Sequence, residues 1–146
     1  MLTFDYLSRA FSTWFAGFFP LAEIYVAVPA ALAIGLDSAS VIFWAVLGNY
    51  TPVLLIHYGY EQLSRSRRIA AWLDRLYSEK LKNRIQRYEI GFVLLMTPWT
   101  GVWVMTVTAK ILRMPPARFL VASFISVLVY AVLLVFLINS GVDLFS

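Results

Sequence analysis

The stretch FFPLAEIYVAVPAALAIGLD, residues 18–37, is apolar enough to lie in a lipid bilayer, yet it holds a carboxylate, Glu23, between Pro20 and Pro29. An ionisable group at the bilayer centre costs ~2.5–3.5 kcal/mol even on the mildest scale. A proline inside a helix removes a backbone hydrogen bond and crowds the preceding turn. The two features make sense together where a membrane helix is broken. The prolines interrupt the helix, its backbone polar groups turn toward protein or a water-filled cavity, and Glu23 sits at that turn.

The surrounding chain has the same character. Of its 146 residues 61% are hydrophobic and 14% charged, with a mean hydropathy of +0.76. Soluble domains are nearer ~45–50% apolar and ~25% charged, so the composition is that of an all-α integral membrane protein with one domain, 1–146. No Gly-rich phosphate loop is present. The absence of cysteine excludes a disulfide framework and thiolate chemistry. The single histidine, His57, cannot build a metal site, and no carboxylate cluster supplies the missing ligands. No metal, cofactor or enzymatic activity is expected: an enzyme acting on lipid headgroups would need a nucleophile–base pair or a metal cluster. The start, MLTFDYLSRAF, places Asp5 ahead of Arg9, unlike the positive leader of a secretory signal, and reads as mature chain.

Four runs approach the ~20 residues that cross a bilayer: 15–36, 39–60, 91–112 and 117–138. The last is the cleanest; 15–36 and 91–112 are irregular. Residues 61–89 carry eight of the twelve Lys and Arg and four of the eight acids, so the net charge of this stretch equals the +4 of the whole chain. Its apolar positions, Ile69, Leu73, Leu76, Tyr77, Leu81, Ile85 and Tyr88, recur near helical spacing. The pattern predicts an amphipathic helix on anionic lipid headgroups rather than a nucleic-acid contact, lying on the cytoplasmic side by the positive-inside rule. A second interfacial helix is expected over the first ~14 residues, with Leu2, Tyr6, Leu7, Ala10, Phe11 and Trp14 on one face.

Shifted by 78 residues, 20–49 lies over 98–127 without gaps, and Pro20, Val26, Ala31 and Ala39 meet Pro98, Val104, Ala109 and Ala117. Shared apolar composition also produces such a match. Beyond composition, each half has a proline-broken segment followed by a regular one, which marks transporter repeats. Repeat one would be 15–60 and repeat two 91–138. If 91–112 spans fully, then Lys110, Arg113 and Arg118 lie outside, against the positive-inside bias; if it dips in and returns, they stay inside. The charges therefore favour an inverted repeat, each half a re-entrant hairpin followed by a transmembrane helix. Four plain spans, as in a small drug exporter with a Glu in its first segment, remain the alternative.

At PLAEIYVAVPAALAIGL, LGNYTP and PWTGVWVMTVTAKIL the sequence resembles the small multidrug export protein family, itself related to the DedA/VTT group of membrane proteins. The family pattern is Pro-x-x-Glu with a following Arg and a second Pro, then Gly-Asn, then a Pro- and Gly-rich Thr-Gly-x-Trp. Pro20, Glu23 and Pro29 fall on the first motif, Gly48 and Asn49 on the second, and Pro98, Thr100, Gly101 and Trp103 on the third. Tyr25 stands where the family has its Arg, and the third motif lacks a Pro and a Gly around Trp99. The resemblance implies inverted re-entrant hairpins, a homodimer and transport, with the wider group associated with lipid-phosphate headgroups.

The expected function is a secondary transporter of the cell membrane. It would be proton-coupled through Glu23, whose pKa desolvation would raise, and would move an amphiphilic small molecule or a lipid phosphate. Pro20, Tyr25, Pro29, Asn49, Pro98, Thr100, Gly101 and Trp103 would line the substrate pocket. Asn49 and Thr100 equally suit bonding to broken backbone. Trp99 and Trp103 suit packing at the hairpin tip. Lys110, Arg113 and Arg118 would form a basic cluster able to hold a phosphate or to snorkel to headgroups. His57 reads as interfacial. A non-transporting assembly protein docking through 61–89 is the alternative from another class.

Overall fold

The computed structural model describes residues 3–68, 71 and 79–145, whose regular elements are all helices, without strands. The elements are α1 (Phe4–Phe18), α2 (Glu23–Ala33), α3 (Ser38–Ser64), α4 (Glu79–Thr100), α5 (Val102–Ile111) and α6 (Pro116–Phe145). They form two compact units, one of residues 1–51 with 127–146 and one of residues 52–126.

In the first unit α1 and α2 form a helical hairpin. Thr3 caps α1, its hydroxyl accepting from the Tyr6 N–H at 3.3 Å. The chain turns over Phe19–Ala22, and Arg9 of α1 donates to the Gly35 carbonyl beyond the end of α2. The face that α1 buries consists of Ala10, Thr13 and Gly17, while Phe4, Leu7, Phe11 and Phe15 stay exposed. The helix expected over the first ~14 residues runs on to Phe18. Lipid tails solvate large apolar side chains as well as protein does, so small residues that allow close backbone approach mark the protein-facing side. Here α3 makes that approach. A Cβ at Gly48 would fall against the Trp14 carbonyl, one at Gly17 would lie 2.8 Å from the Ala45 carbonyl oxygen, and Asn49 Nδ2 donates to the Gly17 carbonyl at 3.2 Å.

Two helices are long and apolar enough to cross a membrane, Ser38–Gln62 in α3 and Pro116–Gly141 in α6. Along α6 the buried positions Phe119, Ala122, Ser123, Ser126, Val127, Ala131 and Val135 follow one helical stripe. The remaining faces expose Val121, Phe124, Ile125, Leu128, Val129, Val132, Leu133, Phe136 and Leu137. A helix apolar on all sides, with its smaller residues buried and its larger ones exposed, is built for a lipid solvent. By contrast, α2, α5 and the apolar end of α4 (Ile90–Thr100) are 10 or 11 residues long. At ~1.5 Å per residue each covers roughly half of a ~30 Å hydrocarbon core.

The breaks follow from local chemistry. Pro20 lies in the first turn between helices; in the second unit Pro98 stays inside α4, and the chain breaks three residues later at Gly101, with φ +82°. The two long helices start differently. Asp37 precedes α3 and accepts from the Ser40 N–H at 2.9 Å, a side-chain cap that, with the Ser40 hydroxyl, holds its carboxyl below the usual aspartate range. Pro116 opens α6, where a missing N–H costs nothing.

The backbone repeats its hydrogen bonds at the 78-residue offset. Glu23 donates to Phe19 and Gly101 to Thr97. At the end of α2, Ile34, Gly35 and Leu36 donate to Ala30, Leu32 and Ala31; at the end of α5, Leu112, Arg113 and Met114 donate to Thr108, Lys110 and Ala109. Val41 donates to Asp37 and Phe119 to Pro115 at the starts of the long helices. The same offset carries Gly48, beside Trp14 of α1, onto Ser126, whose hydroxyl donates to Leu94 of α4 at 2.9 Å.

The expected amphipathic helix at 61–89 is not a separate element at its ends: 61–64 continue α3, and 79–89 form the first half of α4. Of its apolar positions, Ile69, Leu73, Leu76 and Tyr77 lie outside the described residues. The irregular run 91–112 is two helices with a break at Gly101.

Candidate functional site

Two places in the molecule carry charge where the chain bends. Among the described residues two non-glycine residues have positive φ, Glu23 (+47°) and Arg113 (+53°). Left-handed backbone places an L residue's Cβ too near a carbonyl oxygen, and glycine alone avoids that cost. At the 78-residue offset Glu23 corresponds to Gly101 (+82°) and Arg113 to Gly35 (+81°). Each strained position thus has a glycine at its counterpart, and the strained residue in each case is charged.

In the first unit Glu23 opens α2, half-buried, directly after the turn that contains the exposed Pro20. Pro29 lies inside α2 and is exposed, as is Tyr25, 45% accessible. Asn49 is buried, and its amide is committed to the Gly17 carbonyl, which makes it a strut between α1 and α3. A groove of about 490 Å³ is lined by Leu7, Ala10, Phe11, Trp14, Trp44 and Leu47. None of the residues expected to contact substrate lines it. Its indole N–H groups are satisfied within the chain, Trp14 by the Thr51 hydroxyl and Trp44 by Tyr6, both at 3.2 Å, so the groove presents an apolar wall.

In the second unit Pro98 and Gly101 are buried and Trp103 is half-buried. The Thr100 hydroxyl donates to the Met96 carbonyl at 2.9 Å, one turn back along α4, and Trp99 is 82% exposed. A cavity of about 220 Å³ is lined by His57, Ala109, Lys110, Arg113, Met114, Pro116 and Phe119. Lys110 and Arg113 of the expected basic cluster meet here. Arg118 is exposed and does not line the cavity. His57 takes its place: the residue is 8% exposed, and its buried Nδ1 has no hydrogen-bond partner. Lys110 Nζ lies 5.8 Å from the centre of the Tyr60 ring, and Glu61 acts electrostatically on both Lys110 and His57. The sequence showed a histidine near the end of an apolar run, but its place beside two cations more than fifty residues further along the chain is a tertiary fact without local signal. Among the described residues no group of His, Cys, Asp and Glu is placed to hold a metal.

A family model described as "Putative small multi-drug export protein" matches residues 23–133, a range that takes in every residue named above for the two bends except Pro20. No curated protein and no solved structure matches the chain.

Proposed function

The chain belongs to the small multi-drug export protein family, and from that premise we propose that it is a proton-coupled secondary transporter with Glu23 as the coupling group. The observation that carries the reading is the placement of Glu23, a half-buried carboxylate held in left-handed backbone at a helix break where its counterpart is glycine. Strain of this kind persists where the side chain has a task. A carboxylate at a break in apolar surroundings can bind and release a proton as the surroundings change from one side to the other.

In this reading α1–α2 and α4–α5 are re-entrant arms entering from opposite faces, and α3 and α6 are the spans. The apolar helices α2, Ile90–Thr100 and α5, each of about half a bilayer's thickness, and the matching hydrogen bonds at the 78-residue offset support it. A plain four-span exporter would need arms about twice as long. The arms leave polar backbone at depth, which a second copy of the chain would shield. Residues 61–89 rest on anionic lipid at the cytoplasmic face. The cargo is an amphiphilic small molecule or a lipid phosphate.

The test is proton flux in everted vesicles, read with a pH-sensitive dye on addition of ethidium as probe. Wild type is expected to release protons, and Glu23→Gln to lose that response while its yield and melting temperature in detergent are unchanged. An equal response in the variant would remove Glu23 from the coupling, and no response in wild type would count against export of this cation class.

A further inference from the structure

We infer that His57, Lys110 and Arg113 form a binding pocket for a phosphate-type oxyanion, separate from the Glu23 site and independent of whether the chain transports anything. The side chains lining the cavity offer donors and no acceptor oxygens. Lys110 brings an ammonium, Arg113 a guanidinium and His57 a ring nitrogen, while Ala109, Met114, Pro116 and Phe119 are apolar. At about 220 Å³ the cavity has room for roughly seven waters at ~30 Å³ each, which is headgroup size and below the range of drug-sized sites.

Three observations point to an occupant. Buried polar atoms are almost always hydrogen-bonded, and His57 Nδ1 is buried without a partner among the described residues. Two cationic side chains, Lys110 and Arg113, line one small cavity whose wall includes no carboxylate. Arg113 pays for its position: it occupies a left-handed turn whose three hydrogen bonds are reproduced at Gly35, where glycine fits without strain. Arginine at such a turn supplies what glycine cannot, a guanidinium on a cavity that Lys110 also lines. Guanidinium and ammonium together favour a tetrahedral oxyanion with several acceptor oxygens. Both a lipid phosphomonoester headgroup and free phosphate have that chemistry.

The test uses the full chain in dodecyl maltoside micelles at constant ionic strength. Melting temperature is followed against inorganic phosphate, short-chain phosphatidic acid and short-chain phosphatidylcholine. Wild type is expected to be stabilised by phosphatidic acid, by phosphate or by both, and not by phosphatidylcholine. A response to phosphatidic acid alone identifies a headgroup site, and a response to phosphate a free-anion site. Lys110→Gln and Arg113→Gly are each expected to weaken the response at least tenfold in ligand concentration. Without ligand, Arg113→Gly is expected to melt at or above wild type, because glycine relieves the turn, an outcome that a merely structural arginine would not give. No response in wild type to either phosphate compound, or an undiminished response in both variants, overturns the inference. Because no flux is measured, such a failure leaves the Glu23 reading standing, and loss of flux in Glu23→Gln leaves this one standing.

Discussion

Glu23 and Arg113 put charge at the two non-glycine positions with positive φ among the described residues. Left-handed backbone costs an L residue ~1–2 kcal/mol relative to glycine. Comparing two variants that both lack the carboxylate isolates that cost at Glu23. Glu23→Gly is expected to melt higher than Glu23→Ala by the equivalent of about 1 kcal/mol, read as apparent melting temperature in detergent. Equal melting, or the reverse order, would mean that the turn is not strained in solution. Glu23 was legible in the sequence because a carboxylate among prolines in an apolar run has few explanations. Arg113 was legible as a charge and not as a strained one, since φ leaves no trace in residue identity unless the residue is glycine. Thr100 and Asn49 suit either a pocket or a bond to backbone, and each donates to a backbone carbonyl, of Met96 and of Gly17.

At the scale of elements, the two long helices were the easiest to read and their neighbours the hardest. An apolar run longer than the bilayer is thick declares itself. The helices of 10 and 11 residues do so only through their breaks at Pro20 and Gly101, which prolines and glycine mark and hydropathy does not. The buried face of α1, Ala10, Thr13 and Gly17, is marked by size: in lipid, the large-versus-small pattern carries the information that apolar-versus-polar carries in water. The start of α3 gives a test by pH. Hydrogen bonds from Ser40 depress the Asp37 carboxyl, so its contribution to stability is present above the ordinary aspartate range and is lost as pH falls through the lowered value. Asp37→Ala is therefore expected to lower the melting temperature at neutral pH, and the gap to wild type should close on acidification below that range. A gap that stays constant into acid would show that the cap bond does not form.

For the whole molecule, the question is on which side of the membrane the α5–α6 connection lies. Charge in the sequence favours the cytoplasmic side, because Lys110, Arg113 and Arg118 flank it. The chain lacks cysteine, so a single Pro116→Cys substitution can be labelled in intact cells without background. Protection from an impermeant reagent, followed by labelling after lysis, is the expected result for re-entrant arms. Labelling from outside would mean four plain spans.

The 78-residue recurrence has a consequence for symmetry. A dimer of identical half-length chains would carry the same side chain at both equivalent bends, an acid at each or glycine at each. One chain holding both copies escapes that constraint. It keeps glycine at Gly101 and Gly35 and lets an acid and a base each occur once, at Glu23 and Arg113. A chain that forms the same turn twice can keep glycine in one and place a charged side chain in the other.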